Sequence, residues 1–430
     1  MSTRTLDGTY STFLSNVRTN ANARFGAIGV VGHMVSGVKT DADGNTTAVS
    51  GVSNRSPGAN QYSTFGTGRV GIVYEFNNFG QAVAKLGNVP ANTWVAGTYS
   101  NDGADTSPYD TEHNLIRQLE LIYLANPTAK TYVAVLEGTG TSAAAANTDA
   151  GVSDALTELI KYDDISFIVG AGMDFNTTLA SHANTASSIT NKAERIYVGG
   201  SSINRCLASG SLSPDISDFS ALQQSTGRAI LSVTNVKYRF QSGLVTESAA
   251  GQEIGGNFYA GYVAGFLSRL PEQVSMLRQS PGFLQVYNGN EFRWSRANQE
   301  SLVGSGVLTV RSVGGAVRFG RALTYSDQAA SEYTKITKRR IVDRVSKELR
   351  ATADTFIGKV NTASSRLGME ASIKSKLSTL SSLGLIDSAA LQTRVWVEGT
   401  DVADGRVRVS VIFRPITEIE FVEIQQTVEL

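Results

Sequence analysis

Residues 405–430 read GRVRVSVIFRPIT and then EIEFVEIQQTVEL. In the first half every second residue from Val407 to Val411 is apolar. In the second half one face of the strand carries Val422, Ile424, Val428 and Leu430. This alternation predicts half-buried β-strands. Pro415 separates the two runs and is typical of a bend or a sheet edge.

The second of these strands, Glu418–Leu430, raises a question of pairing. An unpaired strand edge tends to pair with another chain. The strand therefore either folds back into its own sheet or is added to the sheet of a neighbouring chain. The first alternative predicts a solitary enzyme, and the second predicts a building block of an assembly.

The composition favours a soluble protein that associates with other proteins. The chain has 430 residues, enough for two or three domains, with 38 basic and 38 acidic side chains. Only 18% of the residues are charged, which argues against bulk nucleic-acid binding and does little to keep molecules apart. The sequence contains neither an apolar secretion signal nor a run of about 20 apolar residues that would span a bilayer. We therefore expect a protein made in a cytoplasm.

Metal and disulfide chemistry are not expected. Cys206 is the single cysteine, which excludes an internal disulfide and a zinc site built from several cysteines. The three histidines, His33, His113 and His182, are scattered along the chain.

Between Thr111 and Val236, predicted strands alternate with predicted helices. The strands are Thr131–Leu136, Ile165–Val169, Ala193–Gly199 and Ala229–Val236, and the helices are Thr111–Leu124 and Ser153–Tyr162. A glycine-spaced run, Phe25–Gly37, predicts a further strand that enters this region. Such alternation predicts a mixed or parallel sheet with helices packed on it.

The second half of the chain predicts another domain that begins near Gly256. Asn257–Leu270 predicts an apolar helix whose small residues allow close packing. A long helix is expected from Ser331 to about Val360, with an apolar stripe at Ile341, Val345, Leu349, Ala353, Phe356 and Val360. A helix over Gly368–Leu383 and a strand over Leu391–Val397 follow.

The segment from Lys335 to Arg350 is strongly basic, with seven basic against two acidic residues. Arg340, Arg344 and Lys347 recur at helical spacing and would share one face. This face is either an ordinary solvated surface or a docking surface for an acidic partner, in which charge sets the register.

No set of residues predicts catalysis or a cofactor. Gly66–Gly71 matches G-x-G-x-x-G, but a strand follows it where a dinucleotide site needs a helix. The loop after Thr131–Leu136 lacks the lysine of a phosphate loop. Cys206 has no visible base, and Asp163-Asp164 lies at a turn where carboxylates are commonly solvated.

Four motifs together resemble the contractile tail sheath proteins of phage tails, R-type bacteriocins and related injection devices. They are the small-residue helix at Ala260–Arg269, the strand and turn at Ala316–Ser326, the basic helix at Tyr333–Leu349 and the ending at Val411–Ile424. Two departures mark a divergent member. Thr417-Glu418-Ile419 replaces a proline and an alanine, and Phe356 and Asn361 stand where the family often has tryptophan and Pro-Asn.

The resemblance implies a mixed α+β fold in which an outer α/β domain is inserted before an inner C-terminal α+β sheath domain. It divides the chain into an N-terminal extended arm (1–22), the outer domain (23–255), the inner domain (256–417) and a C-terminal strand arm (418–430). Both arms would add strands to neighbouring subunits through Tyr10, Phe13, Val17, Phe421, Val422, Ile424, Val428 and Leu430. A helix of the inner domain would contact the tail tube through Arg340, Arg344 and Lys347, or through Lys374 and Lys376 of the next helix.

The resemblance also implies a function without catalysis or cofactor. The chain would form a helical homopolymer, in stacked six-fold rings around a tail tube, that contracts to drive the tube through a cell envelope. Its partners would be other copies, the tail tube protein, and baseplate and tail terminator proteins, with a membrane met only as the target and no nucleic acid. It would be located in a virion tail assembled in the bacterial host cytoplasm. The alternatives are an α/β enzyme with a cleft at the carboxyl ends of its strands, or another self-assembling shell or surface-layer protein.

Overall fold

The computed structural model describes residues 26–33, 38–40, 46–48, 73–86, 114–136, 149–173, 175–188, 190–200, 223, 225–232, 236–238, 252–254, 256–281, 285–286, 296–313, 316–328 and 331–418. The strands are β1 Ala27–His33, β2 Val38–Thr40, β3 Thr46–Ala48, β4 Val73–Phe76, β5 Thr131–Leu136, β6 Ile165–Gly170, β7 Ile196–Gly200, β8 Ala229–Ser232, β9 Val236–Tyr238, β10 Gln252–Ile254, β11 Gln285–Val286, β12 Val310–Val313, β13 Ala316–Phe319, β14 Gln392–Trp396 and β15 Arg408–Ile412. The helices are α1 Phe79–Leu86, α2 Asn114–Ala125, α3 Asp149–Leu159, α4 Thr177–Ala186, α5 Gly256–Arg269, α6 Arg296–Gly304, α7 Ile336–Asp354 and α8 Ala363–Ser382.

A six-stranded sheet with the order β4-β5-β1-β6-β7-β8 organises the first part of the chain. All neighbours in it run parallel except β4, which is antiparallel to β5. Smaller sheets pair β9 with β10 and β11, β12 with β13, β2 with β3, and β14 with β15. The mixed α+β fold and the largely parallel sheet predicted from the alternating pattern are confirmed.

The glycine-spaced run predicted as a strand is β1, which has a strand on each side. Its glycines allow close packing within the sheet unit. A Cβ at Gly29 would lie 2.7 Å from Cδ1 of Ile168, and one at Gly32 would lie 2.5 Å from Cβ of Ala171. Larger side chains at these positions would force their neighbours to move, which explains the spacing.

Helices α3 and α4 pack on the sheet and close its core. Their buried side chains in this core include Leu156, Leu159, Leu179 and Ala183. Helix α5 packs against α2 and against β6 and β7. A Cβ at Gly261 would lie 1.8 Å from Nε2 of Gln118, so the small residues of α5 do allow the close approach that they predicted.

The chain forms two compact units. The sheet unit contains the described residues of 26–271 and 278–334, and the C-terminal unit contains Glu272–Leu277 and the described residues from Lys335 to Glu418. In this division α5, which follows the boundary predicted near Gly256, belongs to the sheet unit, and the predicted domains stay a prediction. The reason is that α5 is buried on all sides from Gly256 to Leu267 and completes the packing of the sheet.

The core of the C-terminal unit lies between α7, α8 and the β14–β15 sheet. It consists of Ile341, Val345, Leu349, Ile373, Leu377, Leu380, Leu385 and Ile386. The apolar stripe predicted for the long helix is therefore buried along α7, and Ala353 is buried with it.

Helix α7 is shorter at both ends than the predicted span from Ser331 to Val360. Lys335 has an extended backbone, with φ −108° and ψ 135°, so the helix begins at Ile336. After Asp354 the chain turns, and Gly358 has a φ of +82°, a conformation that suits glycine and interrupts a helix. Val360 is consequently 77% exposed and does not belong to the buried stripe.

Candidate assembly surfaces of the C-terminal unit

The two-stranded β14–β15 sheet has one covered face and one open face. The side chains of this sheet that pack against the helix core are Val395, Val409 and Val411. They are only partly buried. On the other face, Arg394 stacks over Trp396 at 5.0 Å, Ser410 is exposed, and Ile412 is 56% exposed.

The two edges of this sheet differ. Helix α8 packs against β14. Beyond Ile412 the run that begins with β15 pairs with the segment that precedes β14, because Pro415 bridges Ile386 and the N–H of Ile416 donates to the carbonyl of Leu385 at 3.0 Å. Within the part of the chain that the structure describes, no strand lies along the other side of this run.

The connection between β14 and β15 is held by Asp401, which is buried. Its carboxylate accepts from Nε of Arg408 at 2.6 Å and from the N–H of Glu398 at 2.9 Å. The guanidinium of Arg406 lies 3.5 Å away. The hydrogen bond from Arg408 is the main reason that the pKa of Asp401 is held below its usual value. Asp401 is therefore a carboxylate that ties both arginines to the turn.

Exposed apolar side chains are concentrated in the C-terminal unit. Among the described residues, the large apolar side chains that stand exposed are Val274, Val360, Leu367, Leu383, Val402, Ile412 and Ile416, all of which belong to this unit. Scattered single cases need no explanation, but their restriction to one unit makes this unit the candidate for contacts with other molecules.

The basic residues of α7 do not form the solvated face that their spacing suggested. Arg340 is buried, and burial lowers its pKa to about 10 while Glu272 acts in the opposite direction. Arg344 is about a quarter exposed and pairs with Glu348 at 2.9 Å and Glu272 at 3.6 Å. Lys347 is half-buried and is not without a partner. Arg340 and Arg344 are therefore buried beside, or paired with, carboxylates of their own unit.

The alternative lysines on α8 differ in accessibility. The side chain of Lys374 is 58% exposed and pairs with Glu370 one turn away. Lys376 is 35% exposed and donates to Glu348 at 2.9 Å. Glu348 therefore joins Arg344 of α7 to Lys376 of α8, and Lys374 is the more accessible of the two lysines.

The predicted arm residues lie outside the described residues. This holds for Tyr10, Phe13 and Val17 in the N-terminal arm and for Phe421, Val422, Ile424, Val428 and Leu430 in the C-terminal arm. Of the C-terminal arm only Glu418 is described, and one of its carboxylate oxygens accepts from the hydroxyl of Ser275 at 3.2 Å. The role of both arms stays a prediction.

The carboxyl ends of the strands, where an α/β enzyme would bind its ligand, are closed at β7. A Cβ at Gly200 would lie 2.0 Å from the carbonyl oxygen of Gly256, so the start of α5 packs directly on the end of this strand. The described residues contain no cluster of side chains that could hold a metal ion. None of the described helices is both long and apolar enough to cross a membrane.

Of the motifs considered for catalysis, the structure describes only Asp163-Asp164. Asp164 was expected to be solvated, but it accepts from Tyr132 at 2.8 Å and pairs with Lys130 at 3.1 Å. The Gly66–Gly71 motif, the loop after β5 and Cys206 lie outside the described residues.

Known structures share this fold over almost the whole chain. A chain in the cryo-EM structure of the anti-feeding prophage (AFP) helical sheath in its contracted state matches 99% of this chain and 96% of its own length, with a TM-score of 0.60 and 12% identity. A chain in the six-fold symmetrised AFP baseplate matches 94% and 93%, with a TM-score of 0.60 and 13% identity. The crystal structure of a sheath tail protein from Desulfitobacterium hafniense matches 94% and 99%, with a TM-score of 0.56 and 9% identity.

No protein-family model and no curated protein matches the sequence. At these identities the structural matches establish the fold, and the predicted sheath-protein fold is confirmed. The three matched chains come from sheath and baseplate structures and not from enzymes.

Proposed function

We propose that this chain is the structural subunit of a contractile tail sheath, which polymerises helically around a tail tube and contracts to drive the tube through a cell envelope. The observation that carries the proposal is the match along nearly the full length to a chain of an assembled helical sheath. The exposed apolar side chains of the C-terminal unit support it, since they need a covering partner. Catalysis and a cofactor have no part in this function.

The proposed domain arrangement is an outer α/β domain (23–255) inserted before an inner domain (256–417), with arms at 1–22 and 418–430. The packing of α5 on the sheet argues for moving the division toward Pro271. The arms would be donated to neighbouring subunits. The two-stranded β14–β15 sheet supports this, because so small a sheet gains stability from additional strands.

Contraction would be a repacking of contacts between subunits from a metastable extended state to a wider and shorter one. Packed interfaces tend to have discrete arrangements and do not deform continuously, which suits a two-state device. Head-to-tail contacts that do not close into a ring generate helical polymers. We place the polymer in stacked six-fold rings that meet a baseplate and a tail terminator, in a virion tail assembled in the bacterial host cytoplasm.

The tube contact belongs on the basic surface of α7 and α8. Arg340, Arg344 and Lys347 were predicted for it, and the burial of Arg340 leaves the other two as the accessible members. Lys374 extends the same proposal to α8. Charge on such a surface would guide docking and register on the tube more than it would add affinity.

Negative-stain electron microscopy of the purified chain, alone and mixed with the tail tube, tests the function. We expect helical tubes whose assembly the tail tube promotes. Compact particles that a small ligand stabilises would favour the α/β enzyme. Ordered shells or layers whose formation the tail tube does not affect would favour another self-assembling protein.

A further inference from the structure

Six of the seven exposed apolar side chains of the C-terminal unit fall into two groups at opposite ends of α8. The first group, which we call the turn patch, consists of Val360, Leu367 and Val402. Nη1 of Arg366 donates to Oδ1 of Asn361 at 2.8 Å, and Nδ2 of Asn361 donates to the carbonyl of Arg406 at 3.2 Å. These bonds bring the α7–α8 connection, the start of α8 and the β14–β15 turn together at one end of the unit.

The second group, which we call the helix-end patch, consists of Val274, Leu383 and Ile416. Nε2 of Gln273 donates to the carbonyl of Leu383 at 3.4 Å, and the N–H of Ile416 donates to the carbonyl of Leu385 at 3.0 Å. Leu383 caps the end of α8, so the helix separates the two patches by about 24 Å at a rise of about 1.5 Å per residue. A molecule that covers one patch therefore leaves the other available.

The charge that is left beside the turn patch is basic. Lys359 is exposed and lies over the ring of Phe356 at 4.1 Å. Arg366 donates its hydrogen bonds to Asn361. Neither cation forms an ion pair with a residue that the structure describes. The acidic residues of the β14–β15 turn are already paired with arginines of the same hairpin.

The charge that is left beside the helix-end patch is acidic. Glu418 accepts from the hydroxyl of Ser275 through one carboxylate oxygen, and its other oxygen has no hydrogen-bond partner among the described residues. None of the described cations forms an ion pair with Glu418. Arg414, at the same end, is matched by Asp387 at 3.8 Å. The two patches are therefore both apolar and carry opposite charge.

We propose that the turn patch of one copy docks on the helix-end patch of the next copy, in a head-to-tail contact between C-terminal units. The apolar side chains of the two patches cover each other, and Lys359 and Arg366 meet Glu418. A two-fold contact of either patch with itself would place like charges opposite each other, which opposes association. The inference rests on the proposed sheath function and adds the surfaces by which copies meet.

The distance between the patches decides what such a contact builds. Because each copy uses one patch at each end of α8, every added copy presents a new free patch. A head-to-tail contact of this kind repeats until it closes into a ring or continues as a helix. The contact therefore provides a direction of growth that uses only described residues.

A charge exchange between two variants of the full chain tests the contact. Lys359→Glu leaves acidic charge on both patches, and Glu418→Lys leaves basic charge on both. We expect each variant alone to raise the concentration needed for tube-free polymers about twofold to tenfold at low salt, measured by sedimentation. An equimolar mixture should restore polymerisation, because each patch again meets the opposite charge. Lys374→Glu is the control, since this exposed lysine lies midway along α8 and belongs to neither patch.

The mixture distinguishes the head-to-tail contact from its alternatives. If turn patches met each other, Glu418→Lys alone would have no effect and the mixture would not recover. Polymerisation of both variants at the wild-type concentration, or equal weakening by Lys374→Glu, would overturn the proposal. If Lys359→Glu impaired only co-sedimentation with the tail tube, the turn patch would belong to the tube and the proposal would be wrong.

Crosslinking separates this inference from the proposed function. A chain with both Val360→Cys and Leu383→Cys, treated with a short bifunctional thiol reagent, should give a ladder of multimers. A mixture of the two single variants should stop at dimers, and each single variant alone should stay at the background set by Cys206. A ladder without tubes in negative stain would keep the contact and refute the function. Tubes without a ladder would keep the function and refute the contact.

Discussion

The six-stranded sheet and the β14–β15 sheet differ in how their edge strands are protected from pairing with other chains. In the large sheet, β4 is a short antiparallel edge strand, and Glu75 on it pairs with Lys130 at 3.2 Å. The β8 edge is covered, because Leu308 and Tyr325 donate their N–H groups to Leu231 and Ala229. Charges and coverings of this kind protect a sheet from pairing with other chains. The β15 edge has no such protection among the described residues.

The sheet unit and the C-terminal unit also differ in which side chains they bury and expose. In the sheet unit even a fully buried guanidinium finds hydrogen-bond acceptors within the chain. Arg195 donates to the carbonyls of Leu159 and Tyr162 at 2.9 and 2.7 Å. Among the described residues, the C-terminal unit instead exposes seven large apolar side chains. In the part of the chain that the structure describes, the apolar surface that a partner could cover therefore lies on the C-terminal unit.

The largest expected effect is the loss of assembly without a loss of folding. Deleting Val422–Leu430 should abolish tubes in negative stain while the melting temperature stays within about 2 °C of the wild type. The reason is that the described core of the C-terminal unit is built from residues between Ile341 and Ile386. A chain with the segment replaced by Gly and Ser at equal length is the control for length. Normal tubes from the deletion would refute the contrast between the two units.

The next effect is on the stability of the sheet unit. Gly200→Ala should lower the free energy of unfolding by about 1–3 kcal/mol, because the new Cβ meets the backbone of Gly256. Gly304→Ala is the matched control, since a Cβ there has open space, and it should change stability by no more than about 0.5 kcal/mol. Denaturant unfolding measures both variants. Equal effects would show that the end of β7 is not tightly closed.

Acid should destabilise the sheet unit through His182. Burial, and secondly Arg195, lowers the pKa of His182 to about 3 from its ordinary 6.5. The unfolded chain therefore binds the proton between these values while the folded chain does not. Stability should fall as pH drops from 6.5 toward 3, by at most about 1.4 kcal/mol per pH unit from this residue.

Unfolding midpoints measured at several pH values test this residue against a His182→Gln variant. The variant should lose that part of the pH dependence. If its slope equals that of the wild type, His182 is not responsible.

The smallest effect concerns the tube. Lys347→Glu should weaken co-sedimentation with the tail tube a few-fold at low salt and leave tube-free polymers unchanged, because the change is on the accessible part of the basic surface. Lys161→Glu reverses an exposed lysine of the sheet unit and serves as the control. Equal weakening by both variants would show a general charge effect in place of a docking surface.

Local patterns predicted much of this fold. The span of β5 agrees with the sequence-based expectation, and the 3–4 spacing of α7 identified its buried stripe. Helix α4 was missed because its residues are small and polar, although Asn176 before it is a good N-cap and accepts from two backbone N–H groups. This N-cap residue was the feature of the sequence from which the helix could have been predicted.

The surroundings of the basic helix could not be predicted in the same way. The spacing of Arg340, Arg344 and Lys347 is the same whether the face is solvated or packed. The neighbour of Arg340 and Arg344, Glu272, comes from a segment far away in the sequence. Periodicity reports which residues share a face, but it does not report what the chain folds against that face.

The ion pairs at Asp401 have a mechanical consequence. A force that pulls β14 and β15 past each other along their axes loads the hydrogen bonds between them together. Asp401 closes the turn of this hairpin through Arg408 and Arg406 at 2.6 and 3.5 Å. The hairpin therefore resists such a force as one piece, because charged side chains as well as the backbone hold its turn.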